Sequence, residues 1–111
     1  MNVPAEKIGL FLPTGMHARM LRTALSLNRR KNPRGCVRGV YETAFGQLAD
    51  CLDDGAVVVF PAVRGAKDRV SVRISRRLCA RIRVQMESRN LKLTDFAFAA
   101  IDRFLLANQG S

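Results

Sequence analysis

Residues 69–78 read RVSVRISRRL, and the fold turns on this stretch. Val70, Val72 and Ile74 alternate with Arg69, Ser71 and Arg73. Strict alternation is the pattern of a strand with one buried face. The other face needs polar residues, but it does not need arginine. Just beyond, Ser75 is placed to cap a helix, and Leu78, Ile82 and Met86 recur at spacing four as one stripe of it. Asn90 suits a left-handed turn at the helix end. Thr94 can cap a second helix, and Asp95 suits the positive end of its dipole. Phe96, Ala100, Ile101, Phe104 and Leu105 form the apolar stripe of that helix. This half of the chain therefore reads strand, helix, short turn, helix.

The same pattern is written a second time, more faintly, upstream. KIGLFLP at 7–13 alternates Ile8, Leu10 and Leu12 with Lys7, Gly9 and Phe11. Thr14 can open a helix whose stripe is Met16, Met20, Ala24 and Leu27. Leu12 stands 62 residues before Ile74, Met16 stands 62 before Leu78, and Asn28 stands 62 before Asn90. Val37, Val40, Tyr41, Ala44, Phe45 and Leu48 mark the next helix. Its register fits if the first copy carries about three extra residues in its turn, near NRRKNPRG. Asn32-Pro33 there can start the helix a turn earlier. The joint between the copies is CLDDGAVVVFPAVRGAKD, residues 51–68. Asp54-Gly55 signals a turn, and AVVVF reads either as an extra short strand or as an apolar connector.

One strand–helix–helix unit cannot fold alone, because its strand is unpaired on both sides and its core cannot close. Two units solve both problems. The strands pair as an antiparallel ribbon, and four helices cover one face of it. Ile8, Leu10, Leu12, Val70, Val72 and Ile74 then point inward, and Lys7, Gly9, Phe11, Arg69, Ser71 and Arg73 point outward. The expected fold is mainly α with a two-stranded antiparallel β-ribbon, one domain over 1–111. Repeat one covers 7–50, the connector 51–68 and repeat two 69–107.

Composition narrows the function. The chain has 111 residues, 48% of them apolar, which suits one folded domain. No apolar run approaches a membrane span and no signal-peptide pattern opens the chain, so a soluble cytoplasmic protein without membrane association is expected. Cys36, Cys51 and Cys79 are isolated and His17 is the only histidine, so neither a metal site nor a cofactor is expected. His17 has no Ser or Cys partner in a shared motif and no Gly-rich phosphate loop is present, which argues against an enzyme. The net charge is +10 and the pI about 11.0, a balance that favours nucleic acid as partner. Residues 64–92 and 19–38 are basic blocks, and 42–54 between them is acidic.

The stretch RVSVRISRRLCARIRVQMESRNLKLTDFAFAAIDRFL resembles the ribbon-helix-helix superfamily, and KIGLFLPTGMHARMLRTALSLN resembles it more weakly. Most members are homodimers that contribute one strand per chain. A chain holding both copies resembles the rarer single-chain, tandem pseudo-dimeric form, including the VirC-type overdrive-binding accessory proteins of agrobacterial T-DNA transfer. The resemblance implies double-stranded DNA as partner, read by the ribbon in the major groove. The base-reading candidates are Arg69, Ser71, Arg73, Lys7, Gly9 and Phe11. Phe11 would meet thymine methyls, or else pack under the connector, and Gly9 would permit close approach. In this fold the second helices start beside the DNA backbone. The implied phosphate contacts are therefore Lys92, Leu93 and Thr94, with Arg29, Arg30, Lys31, Arg34 and Gly35 in the first copy and Arg76 and Arg77 nearby. Arg81, Arg83 and Arg89 read as a solvated face. Unequal outward triads imply a non-palindromic site, and the resemblance to the single-chain form implies a monomeric pseudo-dimer.

Such a protein would be an accessory factor in plasmid or T-DNA transfer, alongside a relaxase or other transfer proteins. A transcriptional repressor or antitoxin-like regulator is the alternative within DNA binding, although ANQGS is a short tail for an antitoxin. A basic scaffold for an acidic protein is the alternative outside it.

Overall fold

The structure, a computed structural model, describes residues 5–29 and 36–108. The elements run β1 (Ala5–Pro13), α1 (Met16–Arg29), α2 (Val37–Asp53), β2 (Lys67–Ser75), α3 (Arg76–Arg89) and α4 (Leu93–Ala107). The two strands form one antiparallel sheet, and strand–helix–helix occurs twice in chain order. Both strands begin two residues before the expected starts, at Ala5 and Lys67.

In the ladder Lys7 lies opposite Arg73, Gly9 opposite Ser71, and Phe11 opposite Arg69. Leu10, Leu12, Val70, Val72 and Ile74 are buried beneath the ribbon, and Ile8 packs against the same cluster while only partly buried. The helices supply the rest of the core. Tyr41, Phe45 and Phe96 are fully buried, and their rings follow one another at centroid distances of 6.0 and 6.1 Å. Burying each such side chain is worth about 1.5–3 kcal/mol, so the α2–α4 contact under the ribbon anchors the fold.

α3 forms as its sequence dictates at both ends. The Ser75 hydroxyl accepts the Leu78 N–H at 3.1 Å. Asn90 takes φ 53° and ψ 46°, and the Leu91 N–H reaches back to the Met86 carbonyl at 2.9 Å, closing a Schellman motif. α2 runs past its expected limit to Asp53 because Leu52 continues the buried stripe. Gly55, at φ +83°, then turns the chain.

Four expectations are corrected. Thr14 does not open α1. It lies in a turn with Gly15 at φ +88°, and the helix begins at Met16. Thr94 does not cap α4. Lys92 is the cap residue, with no side-chain hydrogen bond, and Thr94 sits inside the first turn. Asn28 is not a turn residue. α1 continues through it to Arg29, and Leu27 packs against the core. The first copy carries six extra residues rather than three: Val37 and Leu93, which open α2 and α4, stand 56 apart against 62 for the strands. Asn32 and Pro33 lie outside the described residues.

The connector forms no strand. Residues 56–64 have no regular structure, although Val58 and Phe60 lean on the core.

Candidate nucleic-acid interface

The ribbon leaves one face uncovered. Lys7, Gly9, Phe11, Arg69, Ser71 and Arg73 are all exposed there, as the alternation requires. Lys67 continues the same row, two residues before Arg69, and adds a cation that the sequence pattern over 69–74 leaves out. Its only sequence signal is that the alternation extends one step further back. Asp68 falls on the opposite parity, with the inward residues, so this row of the ribbon contains no acid.

Local energetics do not explain this arrangement. Lys7 stands directly across the ladder from Arg73, and like charges facing each other across strands are destabilising. Arg76 and Arg77 occupy the first turn of α3, which has no acidic residue. Cations are unfavourable at that positive end of a helix dipole. The one carboxylate there comes from α2: Glu42 accepts the Ser75 N–H at 3.0 Å while also holding Arg38 at 2.8 Å.

The basic side chains fall into two groups. Arg81 binds Asp50 at 2.6 Å and Asp53 at 2.8 Å. Arg83 binds Glu6 at 2.7 Å, and Arg89 donates to Gln85. Arg81, Arg83 and Arg89 therefore do more than solvate a face, because each is engaged within the chain. The hydrogen bond from Arg81 holds the Asp53 carboxyl below its usual range, and Asp50 in turn raises the Arg81 guanidinium. By contrast, Lys7, Lys67, Arg69, Arg73, Arg76, Arg77 and Lys92 have no anionic partner among the described residues. The unengaged cations thus include every basic residue of the ribbon's open row and the starts of α3 and α4.

Phe11 is half exposed, at 51%, and lines an open groove with Lys67, Lys92, Thr94 and the connector residues Ala62 and Val63. A base-reading candidate and two phosphate candidates are brought together there. Asp95 also borders the groove and accepts the Val63 N–H at 3.4 Å. The α4 N-terminus beside it keeps its first N–H groups free of any side-chain cap. The α2 N-terminus differs, because the Cys36 thiol accepts the Gly39 N–H at 3.2 Å. Arg30, Lys31, Arg34 and Gly35, and the side chain of Arg29, lie outside the described residues, so those phosphate assignments rest on the sequence alone.

Gly9 has a local role. A Cβ built on it would lie 3.8 Å from both Nε and Nη2 of Arg69, so the Arg69 guanidinium rests over the bare glycine. His17 has a partner that the sequence did not disclose. Its Nδ1 lies 2.7 Å from the hydroxyl of Tyr41, whose phenol burial pushes above its ordinary value. No local spacing links positions 24 residues apart.

Among the described residues no helix is long and apolar enough to cross a membrane. No family model, curated protein or solved structure matches the chain.

Proposed function

We propose that the chain is a tandem ribbon-helix-helix pseudo-dimer that binds double-stranded DNA, with its ribbon in the major groove. The observation that carries this reading is the open row Lys7, Lys67, Arg69 and Arg73, unengaged, with Lys7 opposed to Arg73 across the ladder at some cost to stability. A row of anions alongside removes that cost, and B-DNA supplies them with a groove that admits a two-stranded ribbon.

The register supports the pseudo-dimer. The two copies are offset by 62 in the strands, and the two residues that this offset relates at the ribbon's centre, Gly9 and Ser71, lie directly opposite each other. A pseudo-twofold axis through that pair exchanges β1 with β2.

Arg69 and Arg73 are the guanine readers in this mechanism, since a guanidinium can bridge O6 and N7. Ser71 and Lys7 add further polar contacts, and Phe11 meets a thymine methyl at the groove's edge. Arg76, Arg77, Lys92 and the free N–H groups around Thr94 hold phosphates and set the salt dependence. Because the axis relates Lys7 to Arg69 and Phe11 to Arg73, the two half-sites are read by different chemistry. The preferred site is therefore not a palindrome. The resemblance of the tandem arrangement to transfer accessory proteins supports a role marking a site beside a processing origin for a relaxase.

Selection of bound sequences from random duplex DNA at physiological salt tests this reading. The expected result is an asymmetric motif whose guanine preferences are lost on both sides of its centre when Arg69→Ala/Arg73→Ala is used. An unchanged motif in that variant removes the ribbon as the reader. Absence of any preference over bulk DNA favours the scaffold alternative.

A further inference from the structure

The groove at one end of the ribbon holds more than phosphate binding requires. Its open volume is about 390 Å³, within the roughly 300–1,000 Å³ of small-ligand clefts. Phe11 forms one side of it, half exposed, and Lys67 and Lys92 border it without an anionic partner among the described residues. Asp95 borders it too. One oxygen of its carboxylate accepts the Val63 N–H at 3.4 Å, and the other accepts nothing among the described residues. A helix dipole favours an acid in this turn. It does not call for an aromatic ring and cations around that acid.

The plan shared by the two halves does not call for them either. At the 62-residue offset of the strands Phe11 corresponds to Arg73, and Lys67 to Ala5. At the 56-residue offset of the helices Lys92 corresponds to Cys36, and Asp95 to Gly39. The corresponding places at the other end of the ribbon therefore hold neither a ring nor a carboxylate.

Charge and chemistry select the occupant. The unengaged lysines favour a polyanion. A carboxylate repels phosphate, but it accepts from the exocyclic amino group of a base, as cytosine N4 offers. An exposed aromatic face stacks on a base only when that base has left its own stack. We propose that this groove binds an unpaired nucleotide of single-stranded DNA. Its base stacks on Phe11, its amino group meets Asp95, and its flanking phosphates meet Lys67 and Lys92. Cytosine is preferred to thymine, which presents the acceptor O4 where cytosine presents an N–H donor. The inference deepens the duplex-binding reading and rests on it for DNA as the partner: the ribbon holds the duplex, and the groove takes a strand that leaves it. On fully paired DNA Phe11 keeps its contact with a thymine methyl.

Fluorescence anisotropy of the full chain at physiological salt tests this on a mixed-sequence duplex. The duplex is blunt, or carries a short single-stranded tail of cytosines, of thymines or of abasic sugar-phosphate. The cytosine tail should tighten binding at least about fivefold over the blunt duplex. The abasic tail adds phosphates alone and should tighten it less than about twofold. The thymine tail should fall between. Phe11→Ala should abolish the gain from cytosine, and Phe11→Tyr, which keeps the ring, should retain it. Asp95→Asn should bring cytosine and thymine level. Position 11 is exposed and asparagine has the shape of aspartate, so the variants should fold, which circular dichroism checks. A cytosine tail no better than the blunt end or the abasic tail overturns the proposal. So does a cytosine gain that survives Phe11→Ala, or a cytosine preference that survives Asp95→Asn. The ribbon's reading of sequence fails on a different result, a random duplex pool that returns no motif, and that result leaves the tail comparison standing.

Discussion

The two halves of the chain share one backbone plan and divide its tasks unequally. In the second half β2 presents Arg69, Ser71 and Arg73, α3 starts on Arg76 and Arg77, and α4 leaves its N-terminus uncapped. In the first half β1 presents Lys7, Gly9 and Phe11, and α2 is capped by the Cys36 thiol. The core is divided too. At the 56-residue offset between α2 and α4, Val40 matches Phe96, Tyr41 matches Ala97, and Phe45 matches Ile101. Each bulky residue on one side meets a smaller one on the other. A homodimer cannot make that choice, because both copies carry the same residue. A fused chain can let one half fill the core while the other fits around it.

The core partition carries the largest expected effect. Tyr41 is fully buried, and it holds His17 through a 2.7 Å hydrogen bond. Tyr41→Ala makes this position match Ala97 and should cost about 3–5 kcal/mol, read from the denaturant midpoint at neutral pH. A loss under about 1 kcal/mol would mean that the core collapses freely around the gap, and the large–small pairing would lose its meaning.

The ribbon should show the next effect. Arg73→Ala removes one proposed guanine reader and should cost about 1–3 kcal/mol of discrimination at one base pair. Its cross-ladder neighbour Lys7 is a point charge without a fork, so Lys7→Ala should lower affinity more evenly across sequences and reduce the salt slope by about one. Binding titrations on matched and mismatched duplexes over a salt series separate the two. Equal loss of discrimination in both variants would make Lys7 a base reader like Arg73.

Asn28 and Asn90 mark how much of this was legible in the sequence. Both close a predicted first helix at the same offset, yet only Asn90 adopts the left-handed conformation. The difference lies in the length of chain after each asparagine. Beyond Asn90 only Leu91 and Lys92 remain before α4, whereas eight residues separate Asn28 from Val37 and leave room for the helix to run on. The strands and apolar stripes were legible because side-chain period follows backbone geometry. The inward and outward rows of the ribbon came with them, and so did most of the candidate interface. The partners of Arg81, Arg83 and His17 were not legible, because they sit 24 or more residues away and tertiary packing alone brings them near. The connector was open to two readings in the sequence, a short strand or an apolar connector, and the second holds. It has the alternation of a strand without a partner to pair with. Asn90→Ala should cost about 1 kcal/mol, the left-handed penalty of a residue with a Cβ, while Asn28→Ala should stay within about 0.5 kcal/mol. Thermal unfolding of the two variants checks this, and equal losses would place both asparagines in turns.

The smallest effect on stability belongs to the centre of the ribbon, where the proposed axis crosses. Gly9 and Ser71 face each other, so Gly9→Ser makes the central pair alike. The added Cβ would meet Arg69 at 3.8 Å, an ordinary contact, and position 9 is exposed. Stability should therefore change by less than about 0.5 kcal/mol. The Arg69 guanidinium, however, rests over position 9, so the serine side chain should turn it from the centre and carry its base preference outward. Selection of bound sequences should show the preference shifted from the middle of the site toward one flank, with the melting temperature unchanged. A motif that stays in place would mean that the glycine does not position Arg69. The asymmetry of the ribbon would then reside in its outer pairs, Lys7 with Arg73 and Phe11 with Arg69.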